Sequence, residues 1–128
     1  MPPTVDNIGI AVTDLDAAVS FYEQLGFEVE RYSSEEAAVR PASESAYLYV
    51  FETDNETTTH RDAELFDNPV GIDHVSVRVD DVDQTYRNRK DDVEFFLEPT
   101  TDEDWGLRMA GVRDPSGNVL YFIEHQNG

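Results

Sequence analysis

The chain opens with a two-residue alternation of apolar and polar positions. Over residues 6–12, Ile8, Ile10 and Val12 point one way and Asn7, Gly9 and Ala11 the other, which is the period of a strand. The period then lengthens. Leu15, Ala18, Val19, Tyr22 and Leu25 recur at helical spacing behind an N-cap at Thr13 or Asp14, and Gly26 supplies the stop. Phe27–Tyr32, Ala37–Val39 and Tyr47–Glu52 read as three further strands. Residues 53–70 are polar and acidic, with Thr57-Thr58-Thr59 and Asn68-Pro69, and a short turn of helix is expected around Ala63–Phe66. The order then repeats. Asp73–Val79 reads as a strand and Asp81–Lys90 as a shorter, more polar helix; Val93–Glu98, Leu107–Val112 and Val119–Glu124 read as strands. Arg113-Asp114-Pro115-Ser116-Gly117-Asn118 makes a tight turn between the last two strands.

The repetition extends to the residues themselves. Val5 to Asp16 returns as Ile72 to Asp83, with four of twelve positions identical and the apolar ones kept apolar. Two copies of one supersecondary unit are expected, with Asn7 and His74 as equivalents. The predicted fold class is α+β, one domain over 1–128 made of two tandem β-α-β-β-β modules. Module one covers about 4–56, the connector about 57–70 and module two about 71–126.

Charge changes the picture more than size does. Asp and Glu number 28 against 9 Lys and Arg, a net charge of -19, and Lys90 is the single lysine. The apolar residues are periodic rather than sparse, so this acidity belongs to a folded chain and not a disordered one. Such a composition, without cysteine, resembles that of cytoplasmic proteins from salt-accumulating halophiles. It argues against nucleic acid and anionic membranes as partners, since phosphate binding needs clustered Lys and Arg. The absence of cysteine excludes disulfides, thiolate nucleophiles and Cys-ligated metals. Met1-Pro2-Pro3-Thr4 lacks the pattern of a signal peptide, and no apolar run approaches a membrane-spanning length. A soluble, cytoplasmic protein is expected.

Three segments in combination carry a family resemblance across essentially the whole chain. They are Asp6-Asn7-Ile8-Gly9-Ile10-Ala11-Val12 with Ala18-Val19-Ser20-Phe21-Tyr22 and Leu25-Gly26-Phe27; Asp73-His74-Val75-Ser76-Val77; and Arg113 through Asn118 running into Val119-Leu120-Tyr121-Phe122-Ile123-Glu124. Together they resemble the vicinal-oxygen-chelate superfamily, the glyoxalase, bleomycin-resistance and extradiol-dioxygenase group. The resemblance implies curved sheets forming an open, funnel-like half barrel, and a homodimer. It also implies metal ligands on the first and last strands of the modules. Carried over by position, Asn7 and His74 take the first-strand places, Glu124 the last-strand place of module two, and Glu52 its equivalent in module one.

Asn7 departs from the family pattern, which has histidine there in most metal-binding members. An amide oxygen is a weak donor for iron, zinc or nickel compared with imidazole. The leading expectation is a small-molecule enzyme of the glyoxalase/dioxygenase type, with a divalent metal (Fe, Mn, Ni or Zn) held by His74, Glu124 and Glu52. Glu124 or Glu52 would double as the catalytic proton shuttle. The alternative is a metal-free protein of the bleomycin-resistance type that sequesters a small molecule between aromatic walls. Asn7 favours the second reading, and His74 with Glu124 the first. Four residues are expected at the ligand: Asn7 as a pocket-lining polar group, Arg78 as a binder of a carboxylate or phosphate, and Trp105 and Phe122 as aromatic lining. For Arg78 a surface ion pair is an equal reading, and for Trp105 a core position under its loop.

Overall fold

Each module begins with a strand that hands over to a helix through an aspartate. Strand β1 (Asn7–Val12) leads to α1 (Leu15–Gln24), and β5 (Val75–Arg78) leads to α2 (Val82–Arg89). Asp14 and Asp81 are the N-caps, extended in backbone, with side chains accepting from the N–H groups of Ala17 and Gln84. Gly26, with φ of 96°, ends α1 in the left-handed conformation that a side chain resists. The remaining strands are β2 (Glu28–Arg31), β3 (Glu36–Arg40) and β4 (Tyr47–Glu52), then β6 (Phe95–Asp102), β7 (Leu107–Arg113) and β8 (Val119–His125). The computed structural model describes residues 2–126 apart from 43, 44, 58, 59 and 64. Thr58 and Thr59 of the expected connector, and Glu64 of its expected turn, lie outside the described residues; a 3₁₀ turn is present at Leu65–Asp67.

The chain divides into two compact units, Met1–Thr57 and Thr58–Gly128. The first holds an open four-stranded sheet ordered β1-β4-β3-β2, the second one ordered β5-β8-β7-β6. Both are mixed. The first strand of each pairs in parallel with the last, because the helix has carried the chain back across the sheet, and the other pairs are antiparallel. The expected α+β architecture of two β-α-β-β-β modules is therefore present.

One face of each sheet packs under its helix. In unit one, Leu15, Ala18, Val19 and Tyr22 of α1 are buried, as are Ile10, Val12, Leu48 and Val50 of the strands. In unit two the polar α2 buries only Val82 fully, and Tyr86 sits edge-on to Phe95 with ring centroids 5.0 Å apart. A bidentate pair adds to this thinner packing: Arg108 of β7 donates to both oxygens of Asp83, at 2.8 Å each.

Strand β6 runs beyond the expected Val93–Glu98, and Pro99 explains why. Proline reads as a strand breaker, but β6 is an edge strand and the ladder to β7 shifts register between Leu97 and Thr100. At such an irregularity the missing N–H leaves no ladder partner unmet.

Candidate functional site

Strand register decides which side chains share a face. In unit one, Asn7, Gly9 and Ala11 lie beside Tyr47, Tyr49 and Phe51. In unit two, Ser76 lies beside Tyr121 and Arg78 beside Ile123, so His74 shares the face of Tyr121. The glutamates fall on the other side. Glu52 is in the row of Val12, which is fully buried, and Glu124 follows Phe122 on the helix-facing side of β8. Both have the same task there. Glu52 Oε1 accepts from Leu15 N–H at 3.0 Å, and Glu124 Oε1 accepts from Val82 N–H at 2.9 Å. Each carboxylate meets a free donor at the positive end of its helix. The second oxygen of Glu124 accepts from Gln126 Nε2 at 3.0 Å.

This placement bears directly on a metal. The set His74, Glu124 and Glu52 does not come together: within unit two, His74 and Glu124 are on opposite faces of one sheet. Among the described residues no group of three or more His, Asp or Glu is arranged to hold a metal ion. The last-strand positions that do share a face with Asn7 and His74 are Tyr49 and Tyr121, neutral phenols at ordinary pH and poor ligands for a divalent ion. The residues present do not fit the metal that the resemblance implies.

In unit two the His74 face is a cluster of rings and polar groups. His74 stands edge-on to Tyr121 with centroids 4.7 Å apart, and Tyr121 meets Phe96 at 5.9 Å. Gly111 makes room: a Cβ there would lie 2.7 Å from Phe96 Cζ and 3.0 Å from Tyr121 Cδ1. His74 Nδ1 donates to Asp73 Oδ1 at 2.6 Å, while Asp73 Oδ2 accepts from Asn68 Nδ2 at 2.8 Å and has Arg61 Nη1 4.0 Å away. Burial pushes the Asp73 carboxyl up, but the hydrogen bonds from His74 and Asn68 and the nearby positive charges outweigh it and leave it lowered. An ionised Asp73 only accepts, so His74 Nδ1 carries the proton of this bond.

Arg113 closes the cluster. Asp114, buried at the following turn, accepts from the N–H groups of Ser116 and Asn118 and sets Arg113 opposite Val119. The Arg113 guanidinium lies 4.0 Å over the Phe96 ring, and its Nη2 donates to the Arg61 carbonyl at 2.7 Å. Its Nε is buried with no partner. Burial raises the pKa of Tyr121, with Asp73 adding to the rise and Arg113 opposing it.

The face of unit one is quieter. Asn7 Nδ2 donates to Asp6 Oδ2 at 2.8 Å, the counterpart of the His74–Asp73 pair. Tyr49 donates to Glu36 Oε2 at 2.6 Å, and Arg40 lies 4.7 Å over the Tyr47 ring. Tyr47, Tyr49 and Phe51 are half-buried, flanked by the exposed Gly9 and Ala11.

The expected ligand residues scatter. Asn7 and Arg78 are exposed on the ring-bearing faces, and Arg78 has no hydrogen bond or ion pair among the described residues. Trp105 is 71 % exposed in the turn between β6 and β7, so it does not fill the core. Phe122 requires correction. At 3 % exposure it packs on the α2 side, 6.3 Å from Phe95, away from the face of His74. Asp73, Arg113 and the placement of Tyr49 and Tyr121 went unassigned. Counting by twos across the parallel β5–β8 pair would have found Tyr121.

A family model described as the Glyoxalase/Bleomycin resistance protein/Dioxygenase superfamily matches residues 4–122. No curated protein matches the chain. Among similar solved structures is a glyoxalase/bleomycin resistance protein/dioxygenase from Nocardioides, 22% identical, TM-score 0.72, covering 100% of this chain and 87% of that one. Another is a lactoylglutathione lyase from Agrobacterium tumefaciens, 21% identical, TM-score 0.70, covering 98% and 96%. A third, a glyoxalase/bleomycin resistance protein/dioxygenase from Alicyclobacillus acidocaldarius, is 22% identical with TM-score 0.70, covering 98% and 93%. At these identities the likeness is one of fold.

Proposed function

This chain belongs to the glyoxalase/bleomycin resistance protein/dioxygenase superfamily, and from that premise we propose that it binds a small organic molecule without a resident metal, as sequestering members do. The observation that carries this reading is the exchange on the last strands. Tyrosines (Tyr49, Tyr121) occupy the face of Asn7 and His74, and the glutamates are turned away to hold helix ends. Rings with a few polar groups among them are what small-ligand sites are made of. In this reading Arg78 and the exposed Trp105 border the ring-bearing face of unit two, and Asn7 is a polar group on that of unit one. The acid excess suits a salt-adapted cytoplasmic protein, so tests belong in concentrated KCl.

Elemental analysis of protein purified without chelator, beside His74→Ala, is the deciding measurement. We expect no stoichiometric metal in either, and stabilising organic ligands in a thermal-shift screen. Stoichiometric iron, manganese, nickel or zinc that vanishes in His74→Ala would sink the reading and restore the metal-dependent enzyme.

A further inference from the structure

The loop from Arg61 to Asp73, which leads into β5, is built inside out. Its polar side chains close it. Asn68 accepts from the Asp62 N–H at 2.9 Å, donates to the Asp62 carbonyl at 3.0 Å, and donates to Asp73 at 2.8 Å. Arg61, with a side chain only 12 % exposed, donates to the Pro69 carbonyl and lies 4.0 Å from Asp73. Its own carbonyl accepts from Arg113 of β7 at 2.7 Å, which fixes the loop to unit two. In water, polar side chains ordinarily turn outward and large apolar ones inward. Here Arg61, Asn68 and Asp73 are the half-buried residues.

The outward side chains are apolar. Phe66 is 95 % exposed, Val70 104 %, Ile72 80 % and Leu65 37 %. Together they offer on the order of 600 Å², so two copies meeting about a two-fold axis cover about 1,200 Å² in all, enough for a specific contact at the small end of the range. The hydrogen-bonding groups of Asn68 and Arg61 are engaged within the loop, so its outer side has mainly apolar area to present. An identical apolar surface complements it. The exposed acids Asp62 and Asp67 repel a copy in dilute buffer, and salt screens that repulsion while leaving apolar contact intact.

We propose that Leu65, Phe66, Val70 and Ile72 form a self-association surface whose occupant is the same loop of a second copy of this chain. The contact is independent of the small-molecule reading and goes beyond it.

Sedimentation equilibrium over a KCl series, up to millimolar protein, tests the assignment. A dimer is expected whose dissociation constant falls as salt rises. Phe66→Asp should raise that constant about tenfold or more, and Phe66→Ser, which adds no charge, should raise it too. Phe66 is almost wholly exposed, so both variants should keep the fold, as circular dichroism would check. The chain has no cysteine, so Val70→Cys and Glu23→Cys each carry a single thiol, the second on the exposed side of α1. A short bismaleimide should join Val70→Cys into a covalent dimer well ahead of Glu23→Cys. Protein that stays monomeric throughout would overturn the proposal, as would association that weakens with salt, the mark of a basic partner surface. So would a dimer untouched by Phe66→Ser, or equal coupling of the two thiols.

Discussion

The two modules share a skeleton and differ in what they do with it. Asp14 and Asp81 cap the helices, Glu52 and Glu124 reach the first helical N–H, and Asp6 and Asp73 each accept from the side chain that follows. These bonds hold the elements in place and are the same in both copies. The open faces differ. Module one satisfies its phenol with Glu36 and keeps an exposed amide at Asn7, whereas module two sets the Tyr121 ring and the Arg113 guanidinium against Phe96, with the His74 imidazole edge-on to Tyr121. The frame occurs twice, and the two copies furnish their faces with different groups.

Glycine on the two faces gives the sharpest way to break this comparison. Gly111→Ala drives a methyl into Phe96 and Tyr121 and should cost about 1–3 kcal/mol in denaturant unfolding. Gly9→Ala meets only Phe51 Cε1 at 3.7 Å and should be neutral or stabilising by about 0.5 kcal/mol. Equal losses would mean that the module-two face is no more tightly filled than its counterpart. Next come the glutamates. Glu52→Ala and Glu124→Ala should each lower stability by about 1 kcal/mol, similarly in size and additively when combined. A loss in one alone would undo the claim of a shared skeleton.

The smallest effect separates two causes of one behaviour. Tyr49 and Tyr121 both have raised phenolic pKa values, the first chiefly through its hydrogen bond to Glu36, the second chiefly through burial. In each case folding favours the neutral form, so its contribution is complete below the ordinary tyrosine value of about 10 and fades as pH climbs through the raised one. In a spectrophotometric alkaline titration, Glu36→Gln should bring one late phenol back towards the ordinary range and leave the other late. Movement of both, or of neither, would show that the two faces are not independent in this respect.

Much of the fold was legible because periodicity reports secondary structure directly. The change from two-residue to helical spacing and back located every strand and helix, and the repeat supplied the second module. Site residues were harder, because a face is decided by parity. Glu124 lies three positions after Tyr121, an odd step that puts it across the sheet, so placing it beside His74 failed by one alternation. Phe122 failed by the same parity. Arg113 was hidden for another reason: an arginine opening a polar turn reads as surface until the ring beneath it is seen. Pro99 concealed the second half of β6 because sequence alone does not show that the strand lies at an edge.

The glutamate bonds also have a kinetic meaning. Leu15 and Glu52 are 37 residues apart, Val82 and Glu124 are 42 apart, and each bond joins the start of a module's helix to the end of its final strand. Such a contact spans a long loop, and we expect it to form late in folding. Weakening it should steepen escape from the folded state while leaving the rate of arrival nearly unchanged. A chain so dense in negative charge is driven apart when salt is diluted. In it, these two bonds tie the start of each helix to the end of its module's final strand.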